Sequence, residues 1–548
     1  MAIVGPPVLY ALVAAWLFRG TSSLGMEFDE VFRVNNLVAV LYPGAQPYDQ
    51  SISRVVVLGH GIPLMYKSYV SSAFLAFYAP LVAFSDTLVG IRMLDYFYTV
   101  AAAVAGFLLF RRRSYTVAFS VPLLALVSPL LYPDVTYGFV DVQHVVPLLL
   151  GAWSFRRYLR GGSRWSLGLA SLLTAAAVNV SFYTAWVVAG LAVGAVILYP
   201  SVLREMLTNV RNVAALVFGA LIGLFNYVYY NVAQGFPTIS PLVNRVFFPD
   251  RYNKNPIDFR ESRGFVAEAF EHLRYVPTLL GGAGVVVALF AVLTLGITAA
   301  ATVVALRRRE MAEVRLAVLP TVAVVVAFGA ILVSPNTTRR GHYGMLVGLL
   351  ECAFAGAVVL AVRYGPEWLR RWRVIIVPLL VSVLFSTYAT ASYGSVGRAL
   401  RSGGEGYFSS AIFDLRDFLD ENGVADDDVL QVQWGSYAQL YFLSQGEFVS
   451  PNVVFPVLGA DEDKRVEIVA DAIDAQGGAV LIPVYTKVPA TNGVDATKLV
   501  ASVARSRHWP VCTVKVFDDR EGDEQLRLYR IDTAGATGPA DPATTCTS

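Results

Sequence analysis

The stretch MEFDEVFRVNN, residues 26–36, sets Glu27, Asp29 and Glu30 just beyond the first apolar segment of the chain. A carboxylate beside a bilayer is costly unless it is solvated, paired or used in chemistry. One such use is general-base catalysis, in which the carboxylate takes the proton of an acceptor hydroxyl. Asp29 and Glu30 are candidates for that role. The structural alternative is that Asp29 caps a helix and Glu30 suits its N-terminal dipole. Val31, Val34, Val38 and Leu41 follow at helical spacing, so an amphipathic helix lying on the membrane surface is expected.

Four further stretches carry groups suited to chemistry. In GHGIPLMYK (59–67), His60 sits between glycines and Lys67 lies in an apolar run; a solvated turn and a snorkelling lysine are the plain reading. In GIRMLDYF (90–97), Arg92 and Asp95 are three apart on one helix and can pair, a mainly structural arrangement. The loop YPDVTYGFVDVQH (132–144) offers Asp141 and His144 on one helix face, enough to suggest a divalent ion but also compatible with a solvated loop. SPNTTRRGHYG (334–344) contains adjacent Arg339 and Arg340, whose forked donors suit a phosphate or a lipid headgroup. Its Asn336-Thr337-Thr338 is a glycosylation sequon. The loop 231–279 adds Arg245, Arg251, Lys254, Arg260 and Arg263.

The elements that must position these groups are membrane helices. The chain has 548 residues, 55% hydrophobic and 15% charged, with mean hydropathy +0.54, which excludes an ordinary soluble protein. A net charge of +2 gives no footprint for nucleic acid. Eleven apolar blocks are expected to span: 2–18, 88–110, 115–131, 144–158, 165–181, 183–199, 212–230, 280–306, 316–333, 345–362 and 374–391. With that count the clusters Arg111-Arg112-Arg113, Arg156 to Arg164, Arg204 and Arg211, Arg307-Arg308-Arg309, and Arg363 to Arg373 share one face, the cytoplasmic one by the positive-inside rule. Residues 19–87 (the first outer loop), 132–143, 231–279, 334–344 and everything after about 391 then lie outside. Segment 61–84 is nearly long enough to span, but Pro63, Lys67 and Pro80 favour an interfacial or re-entrant course.

Residues 394–533 read as a small extracytoplasmic α/β domain. Its expected helices are SSAIFDLRDFLDENG and KRVEIVADAIDAQGG, and its expected strands are DVLQVQ, AVLIPVY, VCTVKVF and QLRLYRI. Residues 534–548 read as a disordered tail. Cys352 falls in an apolar helix, and Cys512 and Cys546 can pair only if exported.

Together, a carboxylate base and cations for a phosphate at the outer membrane surface fit transfer of a sugar from a lipid phosphate. Outside the cell no cytosolic nucleotide sugar is at hand, so the donor must be lipid-linked. A glycolipid transporter is the alternative; it needs ionisable groups within the spans, where Asp95 and Glu351 are the best candidates.

The layout resembles the GT-C membrane glycosyltransferases, in particular the protein mannosyltransferase and aminoarabinose transferase branch. FDEVFRV matches the family's acidic pair. GHGIPLMYK resembles its second motif through His60, Pro63, Leu64 and Tyr66, with one proline where the family has two. VGIRML resembles the third motif through Arg92, and RRGHYG, with Arg339, Arg340, His342 and Tyr343, resembles a basic-then-tyrosine entry to a late span. The resemblance implies a fold of about eleven transmembrane helices with interfacial helices and an outer α/β domain. It implies inverting transfer from a polyprenyl- or dolichyl-phosphate sugar to a glycan, lipid or protein acceptor. Asp29 would be the base and Glu30 would position it. His60 would sit beside the site, and Arg339 or Arg340 would hold the donor phosphate. No cofactor is required; His60, His144, His272 and His342 permit a divalent metal without demanding one.

Overall fold

The computed structural model describes the chain outside residues 1–3, 20, 22–23, 27, 43–44, 46–52, 58–59, 68–69, 74–87, 113, 132–141, 239–281, 333–343, 489–493, 534–539 and 547–548. Its apolar blocks are helical because a helix satisfies every backbone N–H and C=O within its own segment, as hydrocarbon requires. They are α1 (Gly5–Phe18), then, beyond α2 (Phe28–Leu41), α3 (Leu88–Phe110), α4 (Tyr115–Leu126), α5 (Val145–Leu159), α6 (Arg164–Val180), α7 (Thr184–Leu198), α8 (Pro200–Thr208), α9 (Val210–Gly223), α10 (Phe225–Gln234), α11 (Gly282–Arg307), α12 (Met311–Leu332), α13 (Leu349–Tyr364) and α14 (Glu367–Ser402).

A helix lies on each of the eleven expected spans, but length and composition support fewer crossings. Among the described residues four helices are long and apolar enough, within α3, α11, α12 and α14, or up to six if the bent pairs α7–α8 (103°) and α9–α10 (78°) each count as one span. The chain is a multi-pass membrane protein. Small residues let its helices approach closely: a side chain on Gly219 of α9 would strike the carbonyl of Gly168 in α6. Pro122 inside α4 supplies no N–H to the carbonyl of Ala118. The Tyr10 hydroxyl of α1 reaches that turn, donating to Ala118 O at 3.2 Å and Phe119 O at 3.0 Å.

The loop between α2 and α3 departs from the expected interfacial helices. After α2 it forms an antiparallel sheet of β1 (Ser53–Val57), β2 (His60–Lys67) and β3 (Val70–Ser71), in that order. Residues 60–67 are therefore strand rather than a re-entrant or interfacial helix. The β-branched run SRVVV pairs with HGIPLMYK, and Leu64 and Met65 are buried against Tyr227 and Tyr230 of α10. Asn226 anchors the sheet, donating to Leu64 O at 3.1 Å and Ser71 Oγ at 3.0 Å. The remainder of the expected interfacial segment, 74–84, lies outside the described residues.

α14 runs without a break through residue 394, the expected domain boundary, to Ser402. Beyond it come α15 (Ala411–Glu421), α16 (Ser436–Leu443), α17 (Val454–Gly459), α18 (Glu462–Gln476), β4 (Ala479–Tyr485), α19 (Ala496–Arg507), β5 (Val511–Asp518), β6 (Glu524–Asp532) and β7 (Ala540–Thr545). The sheet order is β4-β6-β5-β7, antiparallel except for the β5–β7 pair. Pro483 is tolerated in β4 because that strand is at the edge. DVLQVQ makes only isolated bridges, Val429 to Leu481 and Gln431 to Asn452, instead of a strand. The expected disordered tail contains β7, and Cys546 beyond it is disulfide-bonded to Cys512 of β5.

Candidate active site

Glu30 lies in the first turn of α2 and Arg92 in the second turn of α3; both are almost wholly buried, at 4% and 2% exposure. Arg92 Nε donates to Glu30 Oε1 at 2.8 Å and Nη2 to Oε2 at 2.9 Å, a forked pair. Its remaining N–H groups donate to the backbone carbonyls of Thr21, Leu24 (3.2 Å) and Gly25 (2.8 Å). All five guanidinium donors are thereby used. Arg92 does not pair with Asp95 as its spacing suggested, because the i, i+3 carboxylate offers less than the Glu30 fork and three carbonyls together. Asp95, 1% exposed, instead accepts from Gln143 Nε2 at 2.6 Å. Gln143 belongs to the 3-10 turn Val142–His144 that opens α5, and the neighbouring His144 is buried against α3 and α6 with 3% exposure.

The same segment is gripped from the other side by the C-terminal domain. Gly25 N–H donates to Gly403 O at 3.2 Å, just past the end of α14. Position 25 must be glycine, since a Cβ there would run into the backbone carbonyls of Phe408 and Ser409. Gln439 of α16 donates to Met26 O and, at 2.9 Å, to Tyr407 O, while its own carbonyl accepts the Tyr485 hydroxyl at 2.5 Å. The apolar stripe of α2 does not face lipid. Val31, Val34 and Val38 are buried in one core with Ala438 and Tyr441 of α16, and Asn35 within that stripe donates to Ala438 O at 2.9 Å. A polar side chain in the middle of the stripe favours protein over lipid, because protein supplies it with a partner.

Asp29 is thus carried in the first turn of a helix held by a membrane helix on one side and the C-terminal domain on the other. His60, Tyr66 and Lys67 lie on β2, with His60 opposite Val57 and Lys67 opposite Val70. The structure brings together Glu30 and Arg92, and Asp95 with the turn bearing His144. Asp141, Arg339, Arg340, His342 and Tyr343 lie outside the described residues. Among the described residues no group of three or more His, Cys, Asp or Glu is placed to hold a metal ion. Sequence reasoning missed Gln143 and Gln439. The available signal was that each is an amide inside an otherwise apolar run, where it needs a partner.

The backbone path is similar to that of a solved structure. ArnT from Cupriavidus metallidurans, an aminoarabinose transferase in the apo state, superposes with a TM-score of 0.51 over 96% of this chain and 98% of its own, at 12% identity. The chain has the GT-C fold. The Archaeoglobus fulgidus oligosaccharyltransferase complex with Zn and sulfate aligns over 87% of this chain and 67% of its own, with TM-score 0.49 and 13% identity. No family model and no curated protein sequence matches the chain. At such low identity the GT-C likeness is one of backbone path, and the chemistry must be argued from this chain's own residues.

Proposed function

We propose that the protein is an inverting membrane glycosyltransferase that moves a sugar from a polyprenyl- or dolichyl-phosphate donor to an acceptor hydroxyl on the extracytoplasmic face. One observation carries the reading: the turn bearing Asp29 is immobilised by the buried Glu30–Arg92 pair inside a GT-C fold. In the step, the Asp29 carboxylate takes the acceptor hydroxyl proton. The acceptor oxygen bonds the anomeric carbon from the side opposite the phosphate, and the bond from that carbon to the phosphate oxygen breaks with its electron pair leaving on the phosphate. Configuration inverts. Arg339 or Arg340 receives the departing charge, and His60, Tyr66, Lys67, Asp141, His144, His342 and Tyr343 surround the substrates. Glu30 and Arg92 act as positioning residues.

Two observations support the outward face. α3 carries Arg92 near its start and Arg111 and Arg112 just past its end, and its 23 residues reach about 34 Å at ~1.5 Å per residue, about the thickness of the hydrocarbon core. The arginine clusters and the acidic turn are thus at opposite ends. The Cys512–Cys546 disulfide lies in the domain that grips this turn, and disulfides persist in oxidising compartments.

The test is turnover of a polyprenyl-phosphate sugar by purified protein in nanodiscs. Asp29→Asn should leave the fold intact and reduce transfer by about 10²–10⁴-fold, the usual worth of a general base. Near-normal turnover overturns the base assignment, and movement of intact glycolipid across liposomes with no new bond replaces the transferase reading with transport.

A further inference from the structure

Helices α4, α13 and α14 leave a groove of about 520 Å³ between them, and neither Glu30 nor Arg92 lines it. Ser114, the N-cap of α4, and Arg373 in α14 line one end of it, and Leu124 and Glu351 line the other. The walls between are mainly apolar, with Val358 and Val377 among them, and carry the hydroxyls of Thr116 and Ser120. Glu351 is tied back to its own helix start, its Oε2 accepting from Gly348 N–H at 2.6 Å.

The groove has the depth of one leaflet. From Ser114 to Leu124 is ten residues of helix, about 15 Å at ~1.5 Å per residue, half of a hydrocarbon core of about 30 Å. The end lined by Ser114 and Arg373 is the basic end: Arg111 and Arg112 precede Ser114, Arg363 lies in the last turn of α13, and Arg370, Arg371 and Arg373 open α14. The volume lies within the ~300–1,000 Å³ typical of ligand sites.

We propose that this groove binds one acyl chain of an acidic bilayer phospholipid, with the headgroup phosphate held at Arg373. Cationic side chains at the mouth select a negatively charged headgroup, and the apolar walls take a chain of single-leaflet length. A long polyprenyl tail exceeds that depth, which separates this site from any donor site.

The full chain would be equilibrated in nanodiscs of mixed phosphatidylglycerol and phosphatidylcholine, extracted in detergent, and its retained lipid counted by native mass spectrometry. Wild-type protein should retain phosphatidylglycerol preferentially. Arg373→Gln, at an exposed position that folding tolerates, should lower that preference about fivefold, the worth of one cation near an anionic surface. Ala355→Trp, which fills the groove from α13, should remove the retained lipid. Equal retention of the two lipids by wild type overturns the proposal. So does retention unchanged in folded A355W protein, or a polyprenyl phosphate as the retained species.

Discussion

Removing the Arg92 guanidinium is the sharpest test of how the acidic turn is held. In Arg92→Met the Glu30 carboxylate, 4% exposed, loses both of its forked bonds, and the carbonyls of Leu24 and Gly25 lose the guanidinium N–H groups, while Thr21 O keeps the Leu24 N–H at 3.3 Å. Breaking a buried ion pair by deleting one partner costs about 3–5 kcal/mol, and each orphaned carbonyl adds about 1–3 kcal/mol where water cannot reach it. The cost falls locally, on the opening of residues 21–38, so hydrogen exchange followed by mass spectrometry is the fitting assay. Taking only the ion-pair term, amide protection in Met26–Val38 should fall by roughly two to three and a half orders of magnitude. The double variant Glu30→Leu/Arg92→Met should be better protected than Arg92→Met alone, because it no longer buries a carboxylate stripped of its guanidinium, yet worse than wild type, because the guanidinium bonds to the backbone carbonyls stay lost. If Arg92→Met keeps protection within about threefold of wild type, the turn is held by the C-terminal domain alone and the clamp argument fails.

Other expectations follow from the same geometry. Gly25→Ala should destabilise the contact with the α14–α15 connection by about 1–3 kcal/mol, as overpacking does, seen as faster proteolysis between the membrane helices and the C-terminal domain. Gln439→Leu should expose the Asp29 turn to exchange while leaving far-UV circular dichroism unchanged, since it removes the donor to Met26 O without touching a helix core. Cys546→Ser should lower C-terminal domain stability by about 3–4 kcal/mol for a loop of this length, given the separation of 34 residues; denaturant unfolding with and without reductant would show wild type converging on the variant when reduced.

Periodicity and composition alone located the apolar helices, strands β4, β5 and β6 of the C-terminal domain, and the acidic turn at the head of α2. These are local properties: an apolar run must satisfy its own backbone, and a repeat near 3.6 or 2 declares helix or strand before any tertiary contact forms. Hydropathy gave the apolar blocks but not the number of crossings, because several blocks fold as helices shorter than a span, such as α1 with 14 residues and α4 with 12, and the block 212–230 bends at Leu224. The β1–β3 sheet escaped notice because GIPLMYK is apolar enough to pass for membrane-associated chain, and its strand identity depends on partners at 53–57 and 70–71.

What only the tertiary structure decided is who partners whom. Spacing placed Arg92 within reach of Asp95, and folding brought it to Glu30, 62 residues away, with Asp95 passing to Gln143. The stripe on α2 announced burial without saying whether lipid or protein would cover it; α16, some four hundred residues later, supplies the cover and the acceptor for Asn35. A residue's own chemistry sets which interactions it needs, whereas their supply depends on contacts that are remote in the chain, and no local pattern records those.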